Sequence, residues 1–160
     1  MRSLIQEGEQ ARVESNFDKA IELCWRAVEL GLGRVQLREI RMAEECIHKA
    51  RVGRRNLARS FFAEGHAQRR QEQLLQARAA FAEALRIDPD YSAAKSVFLE
   101  VQQQLLEQAK EAFERAVVLE KSRNLEPAIA HLKQVQELVG DPNDPLYKKA
   151  ENRLRDLAGD

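Results

Sequence analysis

A chain of 160 residues is the size of one domain or one short repeat array. Hydrophobic residues make up 44% and charged residues 32%, enough apolar material for a core, which excludes a disordered chain. The 26 basic residues balance 26 acidic ones, so no global charge draws the chain to nucleic acid or an anionic membrane.

Only 7 Gly and 4 Pro interrupt the chain, and aromatics are 6%. Ala, Leu, Glu, Gln, Arg and Lys dominate, and these are the strong helix formers. β-branched residues are scarce, so the expectation is an all-α protein.

The first helix is expected over about Arg2–Glu14, with Leu4, Ile5, Gly8, Ala11 and Val13 as a rough stripe, broken at Ser15-Asn16. Phe17 to Gly31 resumes with Ala20, Ile21, Cys24, Ala27 and Val28 at spacings of three and four, and Gly31 and Gly33 are expected to end it. From about Arg34 to Gln71 the pattern is helical but hard to divide. Gly53 and Gly65 interrupt it without Pro, at a cost of about 1 kcal/mol each relative to Ala. Leu74–Ile87 is a short helix stopped by Asp88-Pro89-Asp90. Tyr91–Lys121 then carries Ala94, Phe98, Val101, Leu105, Ala109, Ala112, Ala116 and Leu119 on one face, with no Gly or Pro inside, which makes a helix roughly 45 Å long. Ser122-Arg123-Asn124 turns into a helix over Leu125–Val139, with Pro127 tolerated in its first turn. A loop from Gly140 ends in an N-cap Asp144 and an N1 Pro145, opening a last helix to about Leu157.

Cys24 and Cys46 stand in no CxxC or Cys/His pattern and read as small buried thiols, with a disulfide or metal role as the minor alternative. No apolar run is long enough to span a bilayer, and helical patterning begins at Arg2 with no signal peptide. The default location is cytoplasmic, or periplasmic if the chain is a fragment of a longer one.

Three segments look alike: Ser15-Asn16-Phe17-Asp18-Lys19-Ala20, Glu72-Gln73-Leu74-Leu75-Gln76-Ala77 and Arg123-Asn124-Leu125-Glu126-Pro127-Ala128. Each is a polar turn, an apolar residue, and a small residue three positions later. In the best copy, residues 58–91, Gly65, Ala77, Phe81, Ala84 and Pro89 fall on a small–small–bulky–small–Pro pattern. This resembles the tetratricopeptide repeat, a helix–turn–helix unit of about 34 residues. Residues 1–34 form a second copy through Gly8, Ala20 and Ala27, with Cys24 in the bulky slot. Residues 109–142 form a weaker third copy through Ala116, Leu132 and Val135. The resemblance implies one domain over 1–160, an α-α superhelix of seven to eight helices, closed by a capping helix over 145–157. Ala20, Ala77 and Ala128 are 57 and 51 residues apart, more than one repeat. If two helices are lengthened to absorb the surplus there are seven. A break near Gly53 would give eight.

No catalytic constellation is visible: His48, His66 and His131 are scattered, and Glu44-Glu45-Cys46 with His48 is better explained by surface and core positions. A non-enzymatic protein without cofactor or metal is expected. The family lines a groove with the first helix of each repeat, which implies Ile5, Glu9 and Arg12 from the first copy. From the second it implies Arg59, Phe62, His66 and Arg69; from the third, Lys110, Phe113 and Val117. Arg and Phe together would suit an acidic or C-terminal peptide. Ile5, Glu9, Phe62 and His66 stand where the subclass that grips chaperone carboxylates would need Lys and Asn, so that specific role is not implied. Between Val35 and Glu72 there are nine Lys/Arg against five Asp/Glu. Arg51, Arg55 and Arg59 at i, i+4 and i+8 share a face, with Arg54 beside them. The alternative is an ordinary solvated face with internal i,i+4 pairs. Trp25, Phe17, Leu146, Tyr147, Ala150 and Leu154 read as packing and capping groups. The leading expectation is a scaffold or adaptor that binds a peptide or partner protein. The rivals are a self-assembling module that exchanges its long helices, and a nucleic-acid binder using the arginine stripe. The neutral total charge and the lack of interleaved aromatics count against the last.

Overall fold

The computed structural model describes residues 1–32 and 37–158. The described residues form seven helices and no strand: α1 Arg2–Val13, α2 Phe17–Leu32, α3 Leu37–Arg70, α4 Leu74–Ile87, α5 Ser92–Lys121, α6 Leu125–Val139 and α7 Pro145–Ala158. The architecture is the all-α helical repeat expected from composition and pattern. The expected stop at Gly33 and the helix start near Arg34 lie outside the described residues. Gly31 is the penultimate residue of α2 as described, within one residue of the expected end. It is buried inside the helix, where a Cβ would collide with Ile40 and stand 2.8 Å from Met1 Cε.

The surplus residues between copies are absorbed by length. α3 runs 34 residues and α5 runs 30, against 12 to 16 for the other five. Gly53 does not break α3. The Phe17 ring lies over it, with Cε1 2.6 Å from where a Cβ would stand, so packing compensates for the weak helix former.

The three look-alike turns share one backbone geometry. Ser15, Glu72 and Arg123 each adopt a positive φ, near 60° in all three. Each donates its N–H three residues back, to Arg12, Arg69 and Glu120, while the following residue reaches five back, to Ala11, Gln68 and Leu119. That pair of bonds is the Schellman cap, which satisfies the orphan carbonyls at a helix C-terminus. Glycine is the usual residue at the left-handed position. Its absence here is why the turns were legible only as polar breaks. At the other end of the chain, Asp144 caps α7 as expected, its Oδ1 accepting from the Leu146 N–H at 2.7 Å, with Pro145 at the first helical position.

The chain divides into two compact units. Unit 1 is Met1–Glu64 with Ala80–Ala94; unit 2 is Gly65–Ala79 with Lys95–Asp160. The larger core of unit 1 holds Ile5, Cys24, Ala27, Val28, Ile40, Ala43, Cys46 and Ile47. Cys24 and Cys46 are not free thiols as expected. Facing positions on α2 and α3 bring their Cα atoms to 6.3 Å, and the sulfurs are bonded. Trp25, expected in the packing, is 46% exposed on α2. Phe81 is fully buried, and its ring centroid lies 5.6 Å from that of Phe62. A side chain so placed stabilises by about 3–5 kcal/mol relative to Ala. In unit 2, Val101, Leu105, Ala109, Ala112 and Ala116 form the buried stripe of α5, and Ala128, Leu132, Val135 and Leu138 that of α6.

Candidate partner-binding site

A partner can use only side chains that the fold leaves outside. α1 turns Ile5, Gly8 and Ala11 inward, at i, i+3 and i+6, so Ile5 is a core residue and not a groove residue. Glu9 and Arg12, one turn apart on α1, pair with each other at 2.9 Å. Phe62 is half-buried and packs on Phe81 and on Tyr91, the latter with ring centroids 5.0 Å apart. His66 is half-buried on α3. Phe113 lies under the Arg153 guanidinium, 5.5 Å from the ring centroid, where a cation favours the ring face. Arg153 also bonds Glu120, and Lys110 pairs with Glu107 at 2.9 Å. Val117 is half-buried on α5.

The middle of α3 is different. Arg51, Arg55 and Arg59 are exposed and make no ion pair among the described residues. Arg54 does, bonding Asp18 of α2 at 3.2 Å. Two turns separate Arg51 from Arg59, about 12 Å along the axis. Arg54, Arg55 and Arg59 line a recess of about 250 Å³ with Asp88, Asp90, Tyr91 and Ser92, all in unit 1. Asp88 is the one buried charged side chain among the described residues, and its backbone closes the end of α4 by accepting from the Tyr91 N–H at 3.0 Å. Arg55 and Arg59 are thus held by a helix in a recess that Tyr91 also lines, with planar forks that suit carboxylates in pairs.

Arg69 belongs to other surroundings. It bonds Glu100 at 3.0 Å, and the two flank a cleft of about 880 Å³ in unit 2 with Glu72, Leu74, Gln103, Gln104, Glu107 and Gln108. Glu100, Gln103, Gln104, Glu107 and Gln108 follow i, i+3, i+4, i+7 and i+8, so this polar face of α5 was legible as periodicity. The recess partners Asp88, Asp90, Tyr91 and Ser92 were not, because they sit in and beside a turn that only reads as a stop.

Glu44, Glu45, Cys46 and His48 do not converge. Cys46 points into the core, Glu44 and His48 are exposed, and Glu45 pairs with Lys49 at 2.8 Å. The hydrogen bond from Lys49 holds the Glu45 carboxyl below its usual 4.5, and the same bond raises the Lys49 ammonium above 10.5.

The stretch that contributes both Arg59 and its facing turn, residues 58–91, matches the family model of the tetratricopeptide repeat. The chain carries a tetratricopeptide repeat. The repeat comprises the second half of α3, the Glu72 turn, α4 and the turn that follows, with Ala58, Gly65, Ala77, Ala80, Phe81 and Ala84 as its buried small and apolar residues. Small residues let its two helices approach, and Phe81 fills the space between them. No curated protein and no solved structure matches the chain. Repeats of this family are protein-interaction units, which places the chain in that broad class. No helix among the described residues is long and apolar enough to cross a membrane.

Proposed function

We propose that this protein is a non-catalytic scaffold or adaptor that binds an acidic segment of a partner protein along the arginine column of α3. One observation carries the reading: Arg51, Arg55 and Arg59 form an exposed i, i+4, i+8 column with no ion pair among the described residues, while Arg54 beside them is paired with Asp18. An extended chain advances about 3.3 Å per residue, so carboxylates on alternate residues meet arginines spaced one helical turn apart. Tyr91 offers an aromatic edge for an apolar neighbour in that segment.

The test is fluorescence anisotropy with a labelled Asp/Glu-rich peptide, a Lys-rich peptide and a single-stranded oligonucleotide of equal length. The acidic peptide should bind, and the Arg55→Glu/Arg59→Glu pair should weaken it at least about tenfold, since each bidentate pair is worth roughly 1.5–3 kcal/mol. Arg115→Glu on α5, which is paired with Glu111 at 3.7 Å, should not. Equal binding by the charge-reversed pair would sink the proposal. Tighter binding of the oligonucleotide, with a steep salt slope, would replace it with a phosphate-binding one.

A second reading, self-assembly through the long helices, is favoured by the uninterrupted 34 and 30 residues of α3 and α5. Light scattering on a size-exclusion eluate separates the two. A constant mass near 18.3 kDa across a dilution series supports the adaptor, and a stable multiple of it supports assembly.

A further inference from the structure

The disulfide in unit 1 is buried among residues of α1, α2 and α3. Neither cysteine is exposed, and the bond joins α2 to α3 across 22 residues of sequence. Ile5, Ala27, Val28, Ile40, Ala43 and Ile47 complete the cluster around it. The cover on one side is α1. Gly8 lies directly against the sulfurs: a Cβ there would collide with Cys24 Sγ and stand 3.3 Å from Cys46 Sγ. In the matched repeat the slot equivalent to Cys24 holds the Phe81 ring, so unit 1 replaces a bulky apolar filler with a covalent bond.

α1 is a short cover, with Met1 and Leu4 also packed against the cluster. It has 12 residues, and only Ile5, Gly8 and Ala11 are buried. Its first turn is tied to α3 by an ion pair whose Arg2 side is 81% exposed and whose Glu39 side is 15% exposed. Short helices with few buried apolar groups open locally at far lower cost than a whole domain unfolds.

We infer that the Cys24–Cys46 pair is a redox-sensitive lock on unit 1, made and broken by thiol–disulfide exchange with a small dithiol that reaches the sulfurs only when α1 lifts away. A thiolate of the dithiol attacks one cysteine sulfur and the Cys24–Cys46 bond breaks. The second thiolate then resolves the mixed disulfide. The dithiol leaves as its own cyclic disulfide, having given up two electrons and two protons, and both cysteines become thiols. Oxidation is the reverse, with a disulfide as the acceptor. The inference does not depend on what the arginine column binds.

Protein refolded in a glutathione redox buffer, then denatured and treated with N-ethylmaleimide, should gain no adduct. Two adducts would overturn the lock. Dithiothreitol should reduce the native protein at least about tenfold more slowly than the denatured protein. Ile5→Ala, which removes the largest buried side chain of α1, should speed native reduction about tenfold with helicity by circular dichroism unchanged. If that variant does not fold, Arg2→Ala should speed it about twofold. Native reduction as fast as denatured reduction, or rates unmoved in the folded variant, would show that α1 does not gate the bond. Reduced protein should melt about 10 °C below oxidised protein, given the length of loop the bond closes. An unchanged melting temperature would show that the bond locks nothing.

Discussion

Arg78 on α4 donates through Nη1 to the backbone carbonyl of Leu138 on α6 at 2.7 Å. The same nitrogen reaches the Val139 carbonyl at 3.1 Å and Nη2 reaches that of Glu137 at 3.5 Å, so one guanidinium covers three of the carbonyls that end α6. The helix C-terminus carries a partial negative charge, which makes a cation there doubly suited. Arg78→Ala should cost about 2 kcal/mol in a denaturant titration, within the range for hydrogen bonds to charged groups. Arg78→Lys should recover less than half, because an ammonium cannot fork. Gly140 closes the same helix at φ 73°, and a Cβ there would stand 2.9 Å from Arg78 Nη2. Gly140→Ala should therefore cost more in the native background than in the Arg78→Ala background, where only the backbone strain of about 1 kcal/mol remains. Equal costs would mean that the two residues are not coupled.

Gly53 gives a prediction whose sign depends on one ring. In an open helix Ala would be better than Gly by about 1 kcal/mol. Under the Phe17 ring, an added methyl overpacks, at roughly 1–3 kcal/mol. Gly53→Ala should therefore destabilise the protein, and become stabilising by about 1 kcal/mol once Phe17→Ala has cleared the space. Thermal melts of the four proteins in that cycle decide it. Stabilisation in the native background would show that the ring gives way freely.

The left-handed turn residues are a reservoir of stability. A non-glycine residue there costs about 1–2 kcal/mol, and glycine returns part of that in backbone entropy. Glu72→Gly, at φ 60°, should gain about 1 kcal/mol net, and Glu72→Val should lose at least as much. Chemical denaturation would measure both, and a destabilising Glu72→Gly would mean that the Glu72 side chain contributes more than its strain costs.

Acid should loosen the surface before the core. The hydrogen bond from Arg2 lowers the Glu39 carboxyl, that from Lys49 lowers Glu45, and that from Arg86 lowers Glu83, each below 4.5. Groups lowered in the folded state stabilise it fully above the unfolded value and lose that contribution as pH falls through the folded one. Lys49, raised above 10.5, behaves oppositely and loses its contribution as pH rises through its folded value. The melting temperature should therefore fall as the pH drops below the usual carboxylate value of 4.5, and again in strong alkali. Glu45 and Lys49 are exposed and Glu39 and Glu83 lie half-buried at the surface, so the acid limb should be shallow and should flatten further at about 0.5 M salt. An acid limb indifferent to salt would place its origin in buried groups.

The helices were legible in the sequence because helical periodicity is a local property. Gly65, Ala77, Phe81 and Ala84 carried the resemblance to the repeat within residues 58–91, and the Asp144-Pro145 start is written in two residues. The arginine column was legible for the same reason: i, i+4, i+8 is one face of any helix. What the local pattern could not hold is which partner stands opposite. Ile5 lies on α1 at a spacing that suits either a groove or a core, and only the packing of α2 and α3 turned it inward. Arg69 and Arg59 look equivalent along α3, yet Glu100 lies 31 residues further on and reaches only the first. Cys24 and Cys46 carry no spacing signature. Their bond exists because α2 and α3 face each other in one register, and that register is set by the whole core of unit 1 rather than by any segment of it.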